Sequence, residues 1–400
     1  MTGQRTPTPL DHAATHVVRA AVMAPSLHNS QPWLFSYSGG RVLLYADGAR
    51  RLPLADAHGR QQVISCGAAL FNLRLAMRYL GFQPMVRPFP DARMPALLVR
   101  VGWGAYARAA PAERLMHHAM RERHTHRGPF HAAPPPAPLV QALRQQARAE
   151  GAELCTMDDL TSRSRLAELV HEAERLRRLS PAYVCELRSW TRMGHDSRDD
   201  GVLAAACDYH PDCTALAGRD FNGVTRHPET ASPPEKWRTR TGIVALLTTP
   251  HDACPDWLRA GQALQRVLLY ATGHKITAAF HTQPLEIADL RAQVRAVVPS
   301  GQYPQMLLRL GYTHDRVRTP RRPVTDVLAR GTGRLRELAL SAESRLFVLT
   351  LAQYFELPRA ARDYVEAIAE YSGVDVRLIG VGPSRDQVVW TGAEPELRAA

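Results

Sequence analysis

Two stretches of this chain share one pattern of apolar and polar positions. From Cys66 to Leu80 apolar residues recur at helical spacing, and the run stops at Gly81, where a helix end is readily closed by a left-handed residue. A second run opens in the same way at Ala260-Gly261-Gln262-Ala263-Leu264. Its stop position is Lys275, so that helix end must be closed differently. Each helix is followed by a short strand of near-identical signature, Leu97-Leu98-Val99-Arg100-Val101-Gly102-Trp103 and Met306-Leu307-Leu308-Arg309-Leu310-Gly311-Tyr312. Apolar residues dominate both and a glycine ends both, as expected of buried strands. Two matched elements in the same order predict an internal duplication. Residues 11–110 and 111–328 then form two copies of one α+β unit.

Other segments depart from this pattern. Residues 131–138 hold Pro134-Pro135-Pro136 and Pro138 and read as a stiff, extended connector. Leu139–Ala149 and Arg163–Leu179 read as amphipathic, arginine-rich helices. Residues 193–237 are rich in Gly, Pro, His and Asp with little periodicity, the mark of a lid or binding loop inserted into the second half. A linker over 329–345 and a small α/β appendage over 346–395 complete the chain.

Composition narrows the class. With 22% charged and 45% hydrophobic residues the chain is that of a globular protein. No apolar run reaches membrane-spanning length, and Met1–Leu10 lacks the regions of a secretory signal, so the expected location is cytoplasmic. The net charge of +12 rests almost wholly on arginine, since Lys236 and Lys275 are the lysines. No nucleic-acid-binding module accompanies that charge, so neither nucleic acid nor membrane is expected as a partner. The six cysteines are scattered, and the histidine groups (His117, His118, His124, His126, His131; His195, His210) lack ligand spacing. No metal site is expected.

Two segments concentrate candidate chemistry. Residues 24–33 read Ala-Pro-Ser-Leu-His-Asn-Ser-Gln-Pro-Trp, a polar turn opening a strand. Residues 123–130 read Arg-His-Thr-His-Arg-Gly-Pro-Phe, two guanidiniums flanking a hydroxyl. With Gly261-Gln262-Ala263-Leu264, Pro284-Leu285-Glu286 and Arg321-Arg322-Pro323, they resemble the nitroreductase family of FMN-dependent oxidoreductases. The resemblance covers residues 11–328 and is strongest to the Acg-type branch of actinobacteria, in which one chain contains two nitroreductase-like halves.

The resemblance implies a nitroreductase-like α+β fold in a single-chain pseudo-dimer. Ordinary members are homodimers with an Arg-x-Ser/Thr-x-Arg motif first and an Ala-Pro-Ser-x-x-Asn-x-Gln-Pro-Trp motif after it. Here the order is reversed, each half keeping one motif, which implies one FMN per chain. Pro25, Ser26, Asn29 and Gln31 would shape and line the ring site. Arg123, Arg127, Arg321 and Arg322 would take the phosphate with Thr125 donating a hydroxyl, and paired guanidiniums suit a dianion. The backbone near Glu286 would face the flavin, although Ile287 stands where the family has glycine. The implied activity passes reducing equivalents from NADH or NADPH through FMN to a small-molecule acceptor such as a nitroaromatic or quinone. An FMN-binding or flavin-sequestering protein with little turnover is the alternative. The pseudo-dimer could be monomeric or assemble further. Residues 354–390 separately resemble the C-terminal end of adenylosuccinate synthetase.

Overall fold

The computed structural model describes residues 9–192, 197–207, 213–221, 240–298, 301–315 and 317–329, together with two short strands at 378–380 and 388–390. Most of 193–237, the linker and most of the C-terminal appendage therefore lie outside the described residues. The chain divides into two compact units, Met1–Thr332 and Gly333–Ala400.

The duplication is visible as topology. In the first half β1 (Trp33–Ser38), β2 (Arg41–Ala46), helix α2 (Arg60–Tyr79), β3 (Phe82–Pro88) and β4 (Leu97–Tyr106) follow one another after α1 (Pro9–Ala21). They form a sheet ordered β1-β2-β4-β3, antiparallel throughout. The second half holds α3 (Pro111–Ala119), α4 (Ala137–Arg148), β5 (Glu153–Thr156), α5 (Leu160–Arg178), α6 (Pro181–Ser189), the short strands β6 (Thr191–Arg192) and β7 (Val202–Leu203), β8 (Ile243–Thr249), α7 (Cys254–Gly273), β9 (Ile276–Phe280), α8 (Ala288–Val297) and β10 (Tyr303–Tyr312). Its sheet runs β5-β8-β10-β9, the same order with an insertion between the first two strands. Register is fixed by pairs such as Leu44↔Val99 in one sheet and Ala245↔Leu308 in the other.

The helices predicted from Cys66 and Ala260 both begin six residues earlier, at Arg60 and Cys254. Both are buried on nearly every side because they pack on each other between the sheets. Contact is closest at Gly67 and Gly261, equivalent positions of the two copies: a Cβ on Gly261 would lie 2.8 Å from the Gly67 Cα. Neighbouring contacts repeat with the roles exchanged. Gln265 Nε2 donates to Asn72 Oδ1 at 2.8 Å, and the matching pair places the Arg266 guanidinium 5.9 Å from the Phe71 ring centre. Such reciprocity defines a two-fold interface. Here both sides belong to one polypeptide.

The helix ends are also alike. Gly81 has φ +90°, and at the end of α7 Lys275 has φ +64°. A lysine is strained in that region and glycine is not. Lys275→Gly is therefore expected to raise stability by about 0.5–1 kcal/mol, after loss of the exposed ion pair to Glu122, in a urea unfolding curve.

The two sheets differ in cover. The first is covered on its helical face by α1 and α2, with Trp33, Phe35, Val42, Leu44, Val99 and Val101 in the core. Its edge strand β3 stays exposed along most of its length. The second is covered twice: α4 and α7 on one face, α5 and α8 on the other against Val244, Leu246 and Leu307. After β10 the chain crosses back through α9 (Val324–Val327) into β11 (Leu328–Ala329), which pairs parallel with β1 at Phe35↔Leu328. That return brings residues 319–323 beside the loop that precedes β1. In the second unit β12 (Leu378–Gly380) and β13 (Val388–Trp390) form an antiparallel pair. Among the described residues no helix is long and apolar enough to cross a membrane.

Candidate functional site

The loop before β1 is built on unusual backbone. His28, Asn29 and Gln31 have φ of +51°, +54° and +50°. Three non-glycine residues in the left-handed region cost roughly 1–3 kcal/mol each and persist only where surroundings impose them. The motif side chains supply that imposition. The Gln31 amide donates to Ser26 Oγ at 2.9 Å, closing the loop on itself. Asn29 Nδ2 donates to the carbonyls of Gly201 and Pro320 at 3.1 and 3.2 Å. Gln31 Nε2 donates to the Asp199 carbonyl at 2.7 Å, while its Oε1 accepts from the Arg322 amide at 2.8 Å. Asn29 and Gln31 thus tie the loop to the insertion on one side and to the returning segment on the other.

The arginine segment is pinned to the opposite half. Thr125 bridges Ala278 of β9 in parallel, and the His126 amide donates to the Ala278 carbonyl at 2.9 Å. The two segments meet around one open-mouthed cleft. Seven of the ten sequence-predicted residues line it: Pro25, Ser26, Asn29, Arg123, Thr125, Arg127 and Arg321. Three do not. Gln31 is spent on the loop clamp, and Arg322 turns to the Gln31 and Asp326 carbonyls and to Asp47. Glu286 is buried behind the wall, paired with Arg219 and accepting from Thr282 Oγ1 at 3.0 Å. The cleft wall here is formed by Ala279–Thr282 instead of the turn at Glu286.

The four predicted arginines separate into distinct groups. Arg123 and Arg321 stand close enough that the charge of Arg123 depresses the pKa of Arg321. Burial, with that repulsion, pushes Arg321 down to about 9, and burial alone pushes Arg123 to about 10. Arg321 Nη1 donates to Asn29 Oδ1 at 3.1 Å and to Thr319 Oγ1 at 2.7 Å, but its Nε has no acceptor among the described residues. The buried Arg123 Nε has none either. Arg127 lies apart, its guanidinium 5.5 Å from the Phe221 ring centre, near Cys207 and Arg219. Among the described residues no carboxylate lines the cleft. Two neighbouring buried guanidiniums that face no carboxylate among the described residues could accept a dianion.

The sequence offers Trp33, His28 and the 193–237 insertion as further lining groups; His28 and the insertion enter the wall and Trp33 does not, while Gln61, Arg309 and His281 carry no such signal. His28 is buried and its Nε2 has no partner; burial and then Arg219, Arg127 and Arg177 hold its pKa well below the ordinary value. Gln61 at the start of α2 is buried with an unpartnered Nε2. Arg309 donates through Nε to His281 Nε2 at 2.8 Å and through Nη1 to the Thr241 carbonyl at 2.9 Å. Because arginine can only donate, that His281 nitrogen accepts, so Nδ1 carries the proton and donates to the Ala217 carbonyl at 2.9 Å. Burial followed by the charge of Arg309 pushes His281 to about 3, fixing it neutral. Val202, Cys207, Gly218, Arg219 and Phe221 bring the insertion into the wall. Arg219 is held there by Glu286; burial works to lower its pKa, but the charges of Glu286, Tyr183 and Glu174 together with the Glu286 hydrogen bond raise it above its ordinary value.

No family model matches the chain. The "Putative NAD(P)H nitroreductase acg" of Mycobacterium tuberculosis H37Rv is 31% identical over 323 residues, covering 78% of this chain and 95% of that protein. The chain belongs to the nitroreductase family. Among solved structures, the FMN-dependent nitroreductase NfnB of Mycobacterium smegmatis in complex with NADPH matches at 18% identity and a TM-score of 0.34, over 55% of this chain and 98% of that one. The tail has a separate relative: chloroplastic adenylosuccinate synthetase of Triticum aestivum is 51% identical over 43 residues, 11% of this chain and 9% of that protein.

Proposed function

We propose that the protein is an FMN-dependent oxidoreductase of nitroreductase type, taking reducing equivalents from NADH or NADPH and delivering them to a nitroaromatic or quinone-like acceptor. The observation that carries this reading is the Arg123–Arg321 pair, two neighbouring cations in the cleft wall whose Nε atoms have no partner, and which face no carboxylate, among the described residues. An FMN phosphate meets that demand, and the homologous mycobacterial protein bears a nitroreductase name. Bound FMN would supply the two-electron chemistry itself. The chain would contribute binding and polarity. Arg123 and Arg321 neutralise phosphate, Thr125 offers a hydroxyl beside it, and Gln61 offers an unpartnered amide N–H within the same wall. Asn29 and Gln31 act as positioning residues that hold the strained loop carrying Ser26 and His28.

A second reading, flavin sequestration with little turnover, has one observation in its favour. Five insertion residues line the cleft, and the insertion is tied down by Asn29, Gln31 and the buried Arg219–Glu286 pair. A visible spectrum of the purified protein before and after anaerobic NADPH separates the two. The oxidoreductase is expected to show flavin bands that NADPH bleaches and a nitroaromatic or quinone restores. Bands bleached by dithionite but untouched by NADPH and NADH would support the sequestering protein, and absence of bands after incubation with FMN would refute both.

A further inference from the structure

We infer that the open face of the first sheet docks another protein, and that this partner presents an amphipathic helix bearing a row of acidic residues. The duplication is the starting point. In the second sheet α5 and α8 cover the face that carries Val244, Leu246 and Leu307. The register puts Leu43 where the other copy has Val244, each directly opposite the matched arginine, Arg100 or Arg309. On this matching face of the first sheet Arg41 and Arg87 are exposed, Met85 is 59% exposed, and Leu43 and Arg100 are half-buried. One copy leaves open what the other roofs with helices.

The charge on that face selects the partner. Arg87 stands directly opposite Arg100, a like-charge pair that costs stability. Arg41 lies opposite Gly102, one pleat further along. A Cβ on Gly102 would meet Met85 Cε at 3.3 Å and Arg41 Cγ at 4.0 Å, so these side chains flank a bare strip of backbone. β2, β3 and β4 contain no aspartate or glutamate, and none of the three arginines has an ion pair among the described residues. Negative charge must come from outside. A second copy meeting this face with its own would set arginine against arginine.

The edge strand decides the approach. The Phe89 amide donates to the Leu98 carbonyl at 2.7 Å, so by alternation positions 85 and 87 turn their amides to β4 and positions 84, 86 and 88 turn outward. Two of those three are Pro84 and Pro88, which have no N–H to give. An added strand would find a single donor there, so the partner lies across the face. A helix suits it, as on the other copy. Adjacent strands are ~4.8 Å apart, and helix positions i, i+3 and i+7 are separated by ~4.5 and ~6 Å along the axis. That row offers one carboxylate to each of Arg41, Arg100 and Arg87, with apolar neighbours over Leu43 and Met85.

The test is fluorescence anisotropy of a labelled helical peptide titrated with the full-length protein. The peptide carries glutamate at i, i+3 and i+7 beside a leucine stripe, and its twin carries glutamine instead. The glutamate peptide is expected to bind at least ~10-fold more tightly, as for three exposed charge-assisted pairs, and added salt should erase the difference. The double variant Arg87→Thr/Arg100→Thr should lose the preference and keep or raise the thermal midpoint, since it removes a like-charge pair. Arg175→Ala, at an exposed arginine of α5, should change nothing. The comparison of the two peptides on the wild type needs no variant, so it decides the matter even if the double variant folds poorly. Equal affinities would overturn the inference. So would a single-stranded oligonucleotide that binds more tightly than the glutamate peptide through the same arginines, or a dimer in sedimentation that the double variant dissociates.

Discussion

Replacing Arg123 by glutamine is expected to strip the protein of most of its FMN and, at the same time, to make the flavin-free protein harder to unfold. The two effects have one cause. Arg123 is 8% exposed, and its guanidinium has no acceptor among the described residues. Burial pushes its pKa to about 10 from an ordinary 12.5, which corresponds to a cost of order 3 kcal/mol for holding it charged. A base whose folded pKa lies below its unfolded value costs stability throughout the neutral range. That cost fades only as pH rises through about 10. On the proposed function a phosphate dianion would offset it in the holoprotein, so the variant should lose roughly 10–100-fold in FMN affinity, the range of a hydrogen bond to a charged group. Arg321→Gln provides the contrast. Arg321 donates to Asn29 and Thr319, so its loss removes bonds as well as charge and should weaken both FMN binding and the flavin-free fold. Flavin per chain after gel filtration and thermal midpoints of the flavin-free proteins report both quantities. Full flavin content in Arg123→Gln, or a lower midpoint without flavin, would refute the cradle.

The paired arginine strands show what the sequence could disclose and what it could not. Arg100 and Arg309 occupy matching places in two almost identical strand signatures, so the duplication was legible. Their fates were not. Arg100 sits on the outer face of a sheet that helices cover on one side only, whereas Arg309 is 1% exposed because Gly128, Phe130, Thr241 and His281 close over it on the doubly covered second sheet. Cover is a tertiary property, and no local pattern carries it. The same limit applies to the cleft. Pro25, Ser26, Asn29, Arg123, Thr125, Arg127 and Arg321 were readable because each lies in a recognisable motif. Gln61 and His281 lie in ordinary helix and strand sequence and enter the wall only through the packing of the halves. His28 was readable as a lining group from its place inside the motif, and the structure adds the φ of +51° that holds it there. Gln31, Arg322 and Glu286 carry motif identity yet work behind the wall, since a loop with three left-handed residues needs anchors as much as a ligand needs contacts.

Gly261→Ala should be the most damaging single-methyl change in the protein, because the added carbon has nowhere to go. A Cβ there would lie 2.0 Å from the Ile64 carbonyl oxygen and 2.8 Å from the Gly67 Cα. The mirror substitution, Gly67→Ala, would set a carbon 2.3 Å from the Leu258 carbonyl oxygen. Backbone cannot rotate aside as a side chain does, so α2 and α7 must separate and reopen the seam holding Asn72, Gln265, Phe71 and Arg266. Overpacking of this kind costs about 3 kcal/mol or more, enough to lower the thermal midpoint by roughly 5–10 °C. Gly102→Ala serves as the control. Its Cβ would meet the Met85 methyl at 3.3 Å, the end of an exposed and flexible side chain, with Met85 Cβ and Arg41 Cγ at ordinary contact distance, and the midpoint should barely move. Since the Ala24–Trp33 loop and the Arg123–Phe130 segment stand on opposite halves, separating the helices also widens the cleft between them, so Gly261→Ala should hold FMN less tightly although it touches no ligand. The double variant Gly67→Ala/Gly261→Ala should fall short of additivity, because helices already pushed apart by one methyl have made room for the other. Unchanged unfolding of Gly261→Ala would mean that the two lobes do not meet at this point, and the pseudo-dimer built on that contact would have to be abandoned.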